Sequence, residues 1–98
     1  MIKVNINNNK ITISGHANFN DYGKDIVCAA VSSIVTASVN DMYIVNPKAL
    51  NYNDDGETIT IEIIKDDDLV YKLLNNLINL LKDLSKDYPK NIKIETEE

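Results

Sequence analysis

The 98-residue chain predicts an α+β fold, a mostly antiparallel sheet with two helices in the order ββαββαβ. Three observations predict it: apolar residues alternate at period two in five short stretches, a 3.6-residue stripe runs through 69–84, and a small, apolar segment spans 26–45. The length fits one compact core, so a single domain over 1–98 is expected.

Ile2, Val4 and Ile6 alternate with polar residues, and Ile11 and Ile13 resume the alternation after Asn7-Asn8-Asn9. Asparagine tolerates the left-handed backbone of a tight turn, so this reads as a hairpin. The polar stretch from Gly15 to Lys24 has no period and is expected as a surface loop. The next segment is expected to be helical from Asp25 as N-cap to about Val45, where Pro47 stops it. It is apolar nearly all round, which predicts burial on more than one side. Leu50 and Tyr52, the turn Asp54-Asp55-Gly56, and Ile59, Ile61 and Ile63 make a second hairpin. Asp66-Asp67-Asp68 then opens a helix whose stripe is Leu69, Val70, Leu73, Leu74, Leu77, Ile78, Leu81 and Leu84. Pro89 ends it, Ile92 and Ile94 form a short last strand, and Glu95 to Glu98 read as a frayed tail.

With 44% hydrophobic and 26% charged residues, the composition is that of a globular protein. A net charge of -5 argues against a surface that neutralises phosphates, so no direct nucleic-acid binding is expected. The single cysteine excludes an intrachain disulfide and a four-cysteine zinc site and suits a reducing, cytoplasmic setting. No apolar run is expected to approach the roughly 20 residues of a membrane span, and the N-terminal residues lack the apolar core of a signal peptide. Neither a membrane partner, a metal nor an organic cofactor is expected.

The chemistry centres on Cys28. In the expected helix it lies in the first turn, three residues after Asp25, where unpaired backbone N–H groups and the positive dipole end favour a thiolate. A free thiol titrates near about 8.5, and such surroundings lower that value. The same N–H groups suit an oxyanion. His16, the only histidine, precedes Cys28 by twelve residues, a length that permits the loop to fold back and place an imidazole at the sulfur. Ser32, four residues after Cys28, is expected on the same helix face, where its hydroxyl could orient a carbonyl or the imidazole. Asp25 either caps the helix or orients His16 as a third member. Each residue also has a structural reading: a lone cysteine among Val, Ala and Ile packs as a small hydrophobe, Ser32 as a small packing residue, and Asp66 to Asp68 as helix-start charge.

The segment Gly15-His16-Ala17, then Gly23, then Asp25-Ile26-Val27-Cys28-Ala29-Ala30-Val31-Ser32 resembles the signature of the Prp family of ribosomal-processing cysteine proteases. The resemblance implies a cysteine peptidase that removes an N-terminal extension from large-subunit ribosomal protein twenty-seven. Cys28 and His16 match the family's catalytic pair. The resemblance further implies a homodimer, a mobile loop between the two residues with Gly23 as its hinge, and a substrate with aromatic residues before the cut, which Phe19 and Tyr22 would contact. The stretch Asn18 to Tyr22 departs from the family pattern. The competing reading is a non-catalytic ribosome-assembly module that holds the same extension; a third is a hydrolase of small amides or thioesters using the same pair.

Overall fold

Among the described residues, five strands and two helices follow in the expected order: β1 (Ile2–Asn7), β2 (Lys10–Ser14), α1 (Tyr22–Val45), β3 (Leu50–Asp54), β4 (Thr58–Ile63), α2 (Asp68–Asp87) and β5 (Ile92–Glu97). This computed structural model describes residues 1–15 and 22–97, and side chains other than those of 22–25. The strands form one sheet in the order β3-β4-β2-β1-β5. Three of its pairings are antiparallel and one, β1 with β5, is parallel.

The period-two isoleucines explain why the sheet is one-sided. Ile2, Val4, Ile6, Ile11, Ile13, Ile59, Ile61 and Ile63 are all buried, whereas the residues between them are exposed or half-buried. Both helices pack on that apolar face, and α2 contributes Val70, Leu74, Leu77 and Leu81. The first hairpin turns through Asn8 at φ 48°, the left-handed conformation expected of its asparagines.

Gly15 ends β2 at φ 81°, and a Cβ there would run into the Met1 backbone carbonyl. Both features demand glycine. Gly15→Ala is expected to cost more than about 1 kcal/mol, read as a lower urea midpoint with an unchanged slope.

Asp67 caps α2: its carboxylate accepts from the backbone N–H of Leu69 and Val70, each at 3.1 Å, and from Asn46 Nδ2 at 3.0 Å. The Asn46 bond ties the end of α1 to the start of α2. These bonds, with the Asn46 bond largest, hold the Asp67 carboxyl below the usual aspartate range. A carboxyl whose folded pKa is depressed stabilises the fold above its unfolded pKa, and that contribution disappears as pH falls through the folded value. Thermal midpoints measured from pH 6 to pH 2 should therefore fall more steeply for the wild type than for Asp67→Asn.

Four expectations need correction. First, α1 begins at Tyr22, so Tyr22, Gly23 and Lys24 are helical rather than loop, and Asp25 is a helix-interior residue rather than the N-cap. Glycine lowers helix propensity by about 1 kcal/mol, and tertiary packing of a 24-residue helix overrides so small a term. Second, α1 buries one side only, with Val27, Cys28, Val31, Val35, Ser38, Val39 and Met42 inside and Ile26, Ser33, Ala37 and Ile44 outside. Third, Glu95 to Glu97 are strand, not frayed tail, because their backbone pairs in register with Asn5 to Asn7. Fourth, Ile26–Val45 does reach the length and apolar character of a membrane span. Its inner side belongs to the core against the sheet and α2.

Candidate active site

Cys28 is the seventh residue of α1, one and a half turns from the helix start rather than in its first turn. Its side chain is 2% exposed and belongs to the core cluster with Val27 and Val31. This overturns the activation expected from the helix terminus. The N–H of a seventh helical residue is engaged by the carbonyl four positions back, and the dipole effect is confined to the first turn. The N–H groups without an intrahelical partner belong instead to residues 22–25, one turn before the sulfur.

The remaining candidates separate into three groups. His16 and Phe19 lie outside the described residues. Tyr22 and Gly23 are the first two residues of α1 rather than loop residues. Gly15, Asp25 and Ser32 are placed: Gly15 is fixed by the turn it makes, Asp25 lies in the fourth helical position, and Ser32 is exposed one turn after Cys28. The step from Cys28 to Ser32 therefore runs from core to surface along one side of the helix.

Sequence reasoning did not single out what continues from Ser32. Ser32, Thr36 and Tyr43, spaced four and seven residues apart, share a flank of α1. A shallow hollow of 460 Å³ opens beside it, lined by Ser32, Ser33, Thr36, Ala37 and Asn40. The Tyr52 phenol of β3 is held above its usual range by partial burial, then by Asp54 and Tyr43. Small polar residues recurring every four positions were the available signal. Among the described residues no cluster of three or more His, Cys, Asp or Glu could hold a metal ion.

The geometry leaves Cys28 a buried thiol on a helix that packs against a one-sided five-stranded sheet, and comparison with known proteins gives the class. The family model described as cysteine protease Prp matches residues 1–93. The ribosomal processing cysteine protease Prp of Mycoplasma pneumoniae is 34% identical over 95 residues, covering 97% of this chain and 94% of that protein. The structure of an essential ribosomal processing protease Prp from S. aureus in complex with a substrate peptide superposes with a TM-score of 0.83 at 27% identity, over 99% of this chain and 100% of that one. The same S. aureus protein with a covalently linked product peptide superposes with a TM-score of 0.81 at 28% identity, again over 99% and 100%. This chain is a cysteine protease. It belongs to the Prp family.

Proposed function

We propose that the chain is a site-specific endopeptidase that removes the N-terminal extension of large-subunit ribosomal protein twenty-seven, with Cys28 as nucleophile and His16 as its base. The observation that carries the reading is compositional: a cysteine protease requires a thiol, and Cys28 is the only cysteine in the chain. His16 is likewise the only histidine. The His16 imidazole takes the thiol proton, and the sulfur attacks the scissile carbonyl carbon. As the tetrahedral intermediate collapses, the C–N bond breaks and the imidazolium protonates the leaving amine. Water, deprotonated by the same imidazole, then hydrolyses the thioester and regenerates the thiol.

The burial of Cys28 supports a protease that acts on one sequence rather than on any exposed peptide, because the sulfur must be uncovered before it attacks. The net charge of -5 favours encounter with a basic substrate, as a protein built to bind ribosomal RNA is. A homodimer and a cytoplasmic setting complete the reading. Its test is incubation with the extended precursor followed by intact-mass measurement, beside Cys28→Ala. One trimmed product from the wild type alone is the expected result. Trimming by both proteins, or by neither, overturns it, and the second outcome favours the non-catalytic binding module.

A further inference from the structure

The last strand of the sheet has an open side. β5 stands at the end of the order β3-β4-β2-β1-β5, and among the described residues no strand lies beyond it. The Ile2 amide donates to the Asn91 carbonyl at 2.8 Å, which sets the phase of the parallel ladder between β1 and β5. In such a ladder every second residue turns both of its backbone groups toward the neighbouring strand. Lys93, Glu95 and Glu97 therefore face β1, while Ile94 and Thr96 turn their N–H and C=O groups outward. A row of outward backbone groups is a template for one more strand.

A hollow lies at the same end of β5. Ile92 is buried and Ile94 packs against the core, but Thr96, the next residue on that face, is exposed. The seam between α2 and the sheet opens there into a cavity of 490 Å³, lined by Ile6 and Ile78 together with the polar Asn75, Asn79, Lys82 and Thr96. Sites that enclose small ligands measure about 300–1,000 Å³, so a large side chain has ample room. A strand laid against Ile94 and Thr96 turns every second side chain to the core face of the sheet, the face on which the hollow opens.

The opposite face selects by charge. Lys93, Glu95 and Glu97 alternate onto it, and the single lysine is already paired with Glu95 at 3.2 Å. The Glu97 carboxylate accepts only the neutral Asn5 amide there, at 3.2 Å. Opposite charges on neighbouring strands attract, so the strand that fits carries Lys or Arg on this side and apolar residues on the other. The net charge of -5 favours the same partner at long range.

We propose that the open edge of β5 and the hollow beside it form a docking site for an extended basic segment of the protein substrate, outside the cut, which joins the sheet as an added strand. The proposal rests on the peptidase reading. Gly15, the residue before His16, lies at the level of Ile2, whereas the hollow lies at the level of Ile6. That is about 13 Å along the strands, and the three strand spacings from β2 to the added strand make about 14 Å across them. A chain crossing both needs about six extended residues. A short peptide that spans only the cut does not reach the site, and the full precursor does.

That difference is the test. Thr96→Pro removes an outward N–H and leaves the ladder with β1 in place. It is expected to lower kcat/KM for the extended precursor of large-subunit ribosomal protein twenty-seven by about tenfold, chiefly through KM, and to leave the short peptide unchanged. Glu97→Lys, which reverses a charge without touching the backbone, should act in the same direction. Equal losses on precursor and short peptide, or no loss on either, overturn the docking site. A second readout needs no cleavage: in Cys28→Ala, hydrogen exchange at the Ile94 and Thr96 amides should slow by more than about tenfold when the precursor is added. Exchange that the precursor leaves unchanged overturns the proposal, as does exchange that slows with the concentration of the chain alone, which would assign the edge to a second copy. Protection by the precursor without trimming by the wild type counts against the peptidase reading and leaves the docking site standing. Trimming without protection does the reverse.

Discussion

Cys28→Ala is expected to lower the rate of precursor trimming by at least about 10³-fold, because the substitution removes the group that forms the covalent intermediate. The fold should survive it. Cys28 is buried among valines in a helix, and alanine has the highest helix propensity and leaves a gap of a single sulfur atom. Cys28→Ser is a poorer control, since a hydroxyl placed in that apolar setting would carry a desolvation cost of about 1–3 kcal/mol unless it found a partner. Circular dichroism melts read beside the mass assay separate the two effects. A loss of trimming accompanied by a collapsed melting transition would assign Cys28 to packing rather than catalysis.

Leu77→Ala should be among the more damaging core substitutions for stability. Leu77 is fully buried on α2, in the stripe with Val70, Leu74 and Leu81 that faces the sheet. Removing three carbons from a packed site costs about 2–5 kcal/mol, the lost transfer energy plus the cavity left behind. Small domains hold about 5–15 kcal/mol in total. A fall of this size should lower the thermal midpoint by more than about 10 °C. Leu80→Ala, on the same helix but 39% exposed, should move it far less. Equal effects at the two positions would contradict the placement of α2.

The elements with strong periodicity were legible before any coordinates. The alternation of Ile59, Ile61 and Ile63 and the stripe from Val70 to Leu81 each admit one buried face, and both were found there. Two boundaries were not legible, for different reasons. The start of α1 was hidden because Tyr22-Gly23-Lys24 has neither a stripe nor high propensity, and Asp25 has the chemistry of a cap without the position of one. The outer half of β5 was hidden because Glu95-Thr96-Glu97 is polar throughout, and it is strand only because β1 offers a free edge. At the site, Cys28 and His16 were legible through the family resemblance. The depth of the sulfur was not, since a seventh helical residue and a third one read alike until the helix start is known. The exposure of Ile26 and Ile44 was not legible either, because the same residues fit a helix buried on every side.

The parallel pairing of Ile2 with Ile92 joins residues 90 positions apart. Closing a loop of that length costs about 4 kcal/mol of chain entropy, far more than the two-residue turn that joins β1 to β2. The two hairpins and both helices form from near neighbours along the chain, but β1 has nothing on its other side until β5 arrives. β1 therefore lacks its outer neighbour until β5 is made, and a nascent chain still lacking residues 92–97 presents β1 as an open edge. Chaperones or like chains would meet that edge first, so the vulnerable moment of this protease precedes the completion of its last strand.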